Sequence, residues 1–299
     1  MAGQERVIGV DLGGTKILAG VIGRDGTVER RRERPTPLES QDALVAGLEL
    51  AVEELLDEGV AALGFGIPSR VDQRSGRAYG SVNTPLDDLD FRGRMEERFG
   101  LPVGFDNDAN AATLAEWTCG AGRGTRTMLM FTLGTGVGGG FILDERLYRG
   151  WAEAGHMVVV HDGKPCPGEC TGRGHLEAYC TGVAAAEAAE EAFGPAVDAH
   201  RLVRLANEGE RRAIEILAQI GRLLGSGIGS LVNLFAAERV VIGGGFGAAA
   251  FEHLAGPALE VARREALAPA DEGLEIVKAE LGTAAGLIGA GLLAFEALG

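Results

Sequence analysis

The feature that most constrains this chain is an eight-residue unit that occurs twice. Ile8-Gly9-Val10-Asp11-Leu12-Gly13-Gly14-Thr15 aligns with Leu129-Met130-Phe131-Thr132-Leu133-Gly134-Thr135-Gly136. In each copy a short apolar run ends in glycines, and a second apolar run follows. Runs of this kind read as buried strands, and the glycine turn joining them reads as a hairpin. A unit that recurs about half a chain apart implies two related α/β halves rather than a solenoid, whose repeats are short and many. The competing reading is that any two strand–glycine–strand hairpins look alike.

The rest of the chain fits two such halves. Arg6 to Val10 and Ile17 to Ile22 read as strands, with a turn at Arg24-Asp25-Gly26. Residues 40 to 59 read as an amphipathic helix, with Ser40 as N-cap and Gly59 as its stop. Strand returns in "VAALGFGIPSRVD", and "LPVGFDNDANAATLAEWTCG" reads as strand, turn and helix. In the second half, helices are expected over Gly182 to Phe193, Asp198 to Glu208 and Arg211 to Phe235. "RVVIGGGFG" reads as a buried strand entering a glycine turn before a helix, "LEIVKAELG" as a last strand, and "AAGLIGAGLLAFEAL" as a closing helix.

Composition removes several classes. The 48 glycines are not periodic, which excludes a fibrous chain, and net charge is −15. That charge repels phosphate backbones and anionic membranes, so neither nucleic acid nor membrane is expected as a partner. The chain enters an apolar strand almost at once without a signal-peptide pattern. Its most apolar long stretch, near Leu223 to Ala237, is too short and too polar to span a bilayer. A cytoplasmic protein is expected, a setting in which lasting disulfides are rare.

Three glycine turns could receive a nucleotide. At Asp11-Leu12-Gly13-Gly14-Thr15-Lys16, glycines let backbone N–H groups face a phosphate, Thr15 adds a hydroxyl, and the Asp11 carboxylate can order Mg²⁺ or its waters. Gly134-Thr135-Gly136 repeats the construction. Gly243-Gly244-Gly245 ends a strand before a helix, where a nucleoside could rest on bare backbone. None is a Walker loop, and each alone reads as an ordinary turn. Three together fit a nucleotide held by both halves.

"FDNDANAATLAEW" places Asp106, Asn107 and Asp108 just before a helix. Asp and Asn are favoured N-caps. A carboxylate there could instead act as a general base on a sugar hydroxyl attacking a phosphoryl group. One residue of the segment can cap while another projects.

These residues, in this order, resemble the ROK family of repressors, open reading frames and kinases, and within it the bacterial glucokinases. The resemblance rests on Asp11-x-Gly-Gly-Thr-Lys16, Asn107-Asp108-Ala-Asn110, Leu133 to Gly140, Glu153-Ala-Gly-His156, Gly174-His175-Leu-Glu177 and Val241 to Gly245. It runs from about residue 7 to the C-terminus. It implies an actin-like ATPase (RNase H-like) fold: two α/β domains around a catalytic cleft, one of residues 1–115 plus 284–299, the other of 116–283 with a zinc loop. It implies transfer of phosphate from ATP, with Mg²⁺, to the 6-hydroxyl of a hexose. Asp108 matches the general base, and Asn83, Asn107, Glu153, His156 and Glu177 match sugar ligands. Gly13, Gly14, Thr15, Gly134 and Thr135 match phosphate contacts, with Lys16 and Gly136 beside them, and Gly244 and Gly245 fall in the nucleoside turn. The family habit is a homodimer or homotetramer. Glucose is the first expected substrate. N-acetylmannosamine, N-acetylglucosamine, fructose and allose are alternatives, and a sugar-responsive repressor is a further one. Repressors of the family carry a DNA-binding module before the first glycine motif, where ten residues precede Asp11 here.

The chain departs from the family pattern at two places. Ser69 follows Pro68 where the family has glycine. The family zinc motif C-x-C-G-x-x-G-C becomes Cys166-x-x-x-Cys170, with His175 in place of the last cysteine. Thiolate and imidazole are both zinc donors, and His156 completes a closed tetrahedral Cys2His2 set, hence a structural Zn²⁺ site. His161 competes for the fourth place. Cys119 and Cys180 read as buried packing residues. One nitrogen of His156 could hold zinc while the other faces the sugar.

Overall fold

The computed structural model describes residues 5–81, 84–168 and 170–299. It divides into two compact units. The first comprises the chain up to Gly120, the short segment Arg149–Trp151 and Thr283–Gly299. The second holds Ala121–Tyr148 and Ala152–Gly282.

In the first unit β1 (Arg6–Leu12), β2 (Lys16–Gly23) and β3 (Val28–Pro35) form an antiparallel meander, followed by α1 (Gln41–Glu53) and β4 (Val60–Ile67). A small three-stranded ribbon comes next: β5 (Arg70–Asp72), β6 (Arg77–Tyr79) and β7 (Leu89–Asp90). Then follow α2 (Phe91–Phe99), β8 (Val103–Asn107) and α3 (Asp108–Cys119). The main sheet runs β3-β2-β1-β4-β8, with β4 parallel to β1 and β8 parallel to β4. Ser40 caps α1 by accepting the Ala43 N–H at 3.1 Å, as the sequence suggests. Gly59 does not end this helix. The helix stops at Glu53, with Glu54 as its C-cap. Leu55 then turns fully into the core, and the chain enters a separate turn in which Asp57 accepts the Gly59 N–H at 2.9 Å. Asp57, Glu58 and Gly59 offer no apolar side chain with which another helical turn could continue the buried face.

β3 escapes sequence reading. "VERRRERP" has no apolar periodicity, because only backbone pairing to β2 makes it a strand. It lies at the edge of the sheet, and its Arg30 and Arg34 pair with Asp57 and Glu54. Charge of this kind discourages edge-to-edge association.

The last helix of the chain, α8 (Ala285–Leu298), also belongs to this unit and lies on its sheet. Its seat is a row of glycines in register across four strands: Gly20, Gly9, Gly64 and Gly104. A Cβ on Gly9 would meet the carbonyl of Leu287 at 2.6 Å, and one on Gly64 or Gly104 would overlap the backbone at Ala290 or Leu293. Helix and sheet approach at backbone distance, which only glycine permits.

The second unit repeats the plan. β9 (Met128–Leu133), β10 (Val137–Leu143) and β11 (Arg146–Leu147) form a meander, followed by α4 (Gly182–Phe193), α5 (Ala199–Asn207) and α6 (Arg211–Phe235). β12 (Arg239–Gly243), α7 (Gly245–Glu265) and β13 (Glu275–Lys278) complete it. The sheet order is β11-β10-β9-β12-β13, with β12 and β13 parallel as β4 and β8 are in the first sheet. The two sheets therefore share one topology, and the aligned units fall on β1 and β9. α6 and α7 pack closely because Gly221, Gly225 and Gly229 face Leu254, Ala258 and Ala262.

Candidate active site

The 106–110 turn divides its labour among neighbouring side chains. β8 ends at Asn107 and α3 begins at Asp108. Asn107 is the N-cap: its side-chain oxygen accepts the Ala109 N–H at 2.9 Å. Its amide nitrogen donates to the Ser69 carbonyl at 3.3 Å. Asp106 is 3% exposed and accepts from the Asn107 N–H at 2.8 Å and from Asn110 Nδ2 at 2.9 Å. Asp108 stands in the first helical turn, and its Oδ1 also lies 2.8 Å from the Ala109 nitrogen. The helix start is thus held by Asn107, with Asp106 beneath it. Burial pushes the Asp106 carboxyl above its usual range, against the pull of Asn110 and Arg149.

Ser69, the departure from family pattern, is buried and donates to the Tyr79 carbonyl at 3.0 Å. It ties β6 to the residue whose carbonyl receives Asn107. Asn83, named from the resemblance, lies outside the described residues.

The first glycine turn follows β1. The Gly13 N–H donates to the Lys16 carbonyl at 2.9 Å, and Thr36 Oγ1 donates to the Gly13 carbonyl at 2.7 Å. Thr15 accepts the Thr36 N–H through its carbonyl. Lys16 is exposed and pairs with Glu33 on β3 at 3.1 Å. Asp11, near the end of β1, is packed under the start of α8: a Cβ on Gly286 would come within 2.5 Å of its carboxylate. Burial pushes the Asp11 carboxyl up to about 6, opposed by the charge of Lys16. No signal in the sequence pairs Asp11 with Gly286, because they are joined only by the return of the last helix.

In the second unit, Gly134-Thr135-Gly136 closes with the Gly134 N–H donating to the Gly136 carbonyl at 2.9 Å. The start of α4 abuts it, through the Gly182 N–H on the Gly134 carbonyl at 2.8 Å. Glu177 accepts the Val137 N–H at 2.8 Å, which sets its carboxylate against this turn. Gly244 has φ +79° and precedes α7, and its missing Cβ leaves room for the backbone of Leu133. Gly245 faces open space.

The cysteine segment folds into a cluster. One ligand atom each from His156, Cys166, Cys170 and His175 lies within 4.8 Å of all the others. His156 Nδ1 is 3.3 Å from His175 Nδ1 and 3.6 Å from Cys166 Sγ, and Cys170 Sγ is 3.6 Å from His175 Nδ1. Tetrahedral zinc, with bonds of about 2.05 Å to nitrogen and about 2.3 Å to sulfur, sets N–N at ~3.3 Å and N–S at ~3.6 Å. The donor set fits that ion. The loop is wound by the Cys166 N–H on the Gly172 carbonyl at 2.9 Å and the Gly174 N–H on the Lys164 carbonyl at 2.8 Å. Gly174 has φ +72°, and a side chain there would overlap the Val160 carbonyl. Burial and the neighbouring Cys170 push the Cys166 thiol up to about 12, so a cation is needed to hold it as thiolate. His161 is not in the set. Cys180 is buried as expected, but Cys119 is only half-buried, beside the turn at Gly26.

The ROK family model matches residues 7–297, and the chain belongs to the ROK family. The glucokinase of Streptomyces coelicolor is 31% identical over 312 residues, covering 97% of each chain. A ROK hexokinase structure from Thermus thermophilus aligns with TM-score 0.85 at 37% identity, over 98% of this chain and 99% of that one. A ROK glucokinase from Streptomyces griseus, in complex with glucose and AMPPNP, aligns with TM-score 0.81 at 32% identity, over 97% and 99%. The duplicated α/β architecture is accordingly the actin-like ATPase fold. Among the described residues, no helix is long and apolar enough to cross a membrane.

Proposed function

We propose that this chain is an ATP-dependent hexose kinase that converts glucose to glucose 6-phosphate, with Asp108 as general base. The observation that carries the reading is the division of labour at 106–110. Asn107 makes the cap and Asp106 the buried support, so the Asp108 carboxylate, which shares the Ala109 N–H with Asn107, is not the only group that starts the helix. The end-to-end likeness to glucokinases supports glucose as the substrate. Asp108 would accept the proton of the 6-hydroxyl as that oxygen attacks the γ-phosphoryl group. Asn83, Asn107, Glu153, His156 and Glu177 are the proposed sugar ligands.

The turns at Gly13-Gly14-Thr15 and Gly134-Thr135-Gly136 would offer backbone N–H groups to phosphate, with Gly244 and Gly245 at the nucleoside. Asp11 would hold Mg²⁺ through its carboxylate, as such sites use one or two acidic groups beside the phosphates. The His2Cys2 cluster would hold a structural zinc, which when bound fixes the ring of His156 by its Nδ1. Nε2 of that ring is then the nitrogen left for a sugar hydroxyl.

A panel of glucose, N-acetylmannosamine, N-acetylglucosamine, fructose and allose in a coupled ADP-release assay tests the reading. Glucose is expected to give the highest kcat/KM. Preference for another sugar moves the substrate but keeps the chemistry. Sugar binding without ADP release from any of the five would refute the kinase and favour a sugar-responsive regulator.

A further inference from the structure

Arg149 is ion-paired close to the catalytic turn yet takes no part in the chemistry proposed for it. It belongs to the three-residue segment Arg149–Trp151, which the chain contributes to the first unit between β11 and Glu153. Its Nη1 donates to Asp106 Oδ2 at 2.7 Å, and its Nη2 pairs with Glu296 on α8. Trp151, at the other end of the segment, receives the Arg70 guanidinium over its ring at 5.5 Å.

Both oxygens of the Asp106 carboxylate are engaged. One oxygen accepts the Asn107 N–H and the Asn110 amide, and the other accepts Arg149. Asp106 therefore fixes the backbone at Asn107, one residue before Asp108, only while it stays ionised and oriented. It is almost fully buried, and a buried carboxylate without a partner is strongly disfavoured. Arg149 is the cation that compensates it, and its planar fork spans two carboxylates as an ammonium could not. Arg149 also lines a cavity of about 390 Å³, with Arg92, Phe105, Leu293 and Glu296, so small solutes can reach its position.

We propose that Arg149 is a positioning residue: by clasping Asp106 it holds the Asn107–Asp108 turn in the geometry that proton abstraction needs. The inference rests on the reading of Asp108 as general base. Misplacement of a reacting group by about 1 Å can cost on the order of 10²-fold in rate.

The test compares Arg149→Ala, Arg149→Lys and Glu296→Gln with wild type in the ADP-release assay, after circular dichroism confirms folding. Arg149→Ala is expected to lower kcat by roughly ten- to a hundred-fold with KM for ATP little changed. Ethylguanidinium, entering the vacated end of the cavity, should restore much of the lost kcat, and ethylammonium should restore less. Arg149→Lys should retain more turnover than Arg149→Ala. Glu296→Gln, which leaves the Asp106 clasp intact, should stay within about twofold of wild type, since exposed ion pairs contribute little. Should Arg149→Ala fail to fold, the same titration is read on refolding. Turnover regained with ethylguanidinium supports the proposal, and none regained overturns it. A folded Ala variant with kcat within about twofold of wild type also overturns it, being far short of the expected loss. Asp108→Asn separates the two ideas. If it loses turnover while Arg149→Ala does not, the positioning role falls and the general base stands. If Asp108→Asn keeps near-normal turnover, both fall.

Discussion

Replacing Asp11 with Asn should make this protein more stable at neutral pH while removing its activity. The Asp11 carboxyl moves from 3.8 to about 6 because burial under α8 disfavours the charged form. The fold therefore holds this proton more tightly than the unfolded chain does. Stability from this group is greatest below pH 3.8, falls as pH rises through 3.8 to about 6, and is flat above. That displacement, at about 1.36 kcal/mol per pH unit, is a cost of about 3 kcal/mol at pH 7. At pH 5 the same linkage leaves about 1.6 kcal/mol. Asp11 is not wholly enclosed, so solvent screening lowers both figures, and a gain of about 1–3 kcal/mol is expected at pH 7. Urea unfolding of wild type and Asp11→Asn at pH 5 and pH 7 measures the gain. Turnover with Mg²⁺ and ATP measures the loss, since an amide is a poor magnesium ligand. An Asn variant no more stable than wild type at pH 7, or one whose advantage is larger at pH 5, would refute the burial argument. Full activity in that variant would refute the metal role.

Asp108→Asn should lower kcat by about 10²–10⁴-fold with sugar binding retained by calorimetry. Gly134→Ala should leave the melting temperature unchanged, because a Cβ there meets nothing within 4 Å, yet weaken ATP. Gly244→Ala, at φ +79° and against the Leu133 backbone, should lower the melting temperature itself, and equal effects of the two would argue against a phosphate role for Gly134. Metal analysis should find one zinc per chain, and Cys170→Ala should lose it together with sugar affinity while nucleotide affinity survives. A zinc-free wild type with full sugar affinity would overturn that coupling.

Much of this molecule is local, and the local part is legible in the sequence. The duplicated hairpin is visible at Ile8–Thr15 and Leu129–Gly136 because buried strands and glycine turns are short-range patterns. The limits of α4 and α6 follow from their own periodicity, and Ser40 and Asn107 announce helix starts by side chains that reach only two or three residues along the chain. The ligands of the His2Cys2 cluster all fall between His156 and His175, so their spacing nominates Cys166, Cys170 and His175 and leaves His156 and His161 to compete for the fourth place, which the folded loop gives to His156. Other features depend on partners that sequence distance conceals. β3 is a strand only because β2 pairs with it. The glycines at 9, 64 and 104 look like ordinary strand glycines until α8, at the far end of the chain, lies across them. Asp106 reads as one more polar residue at a helix start, and its burial and its clasp by Arg149 exist only once the chain has returned from β11. The raised carboxyl of Asp11 has the same origin. Backbone propensity acts over a turn or two, whereas desolvation and ion pairing depend on which atoms crowd a site, and that is decided by the tertiary fold.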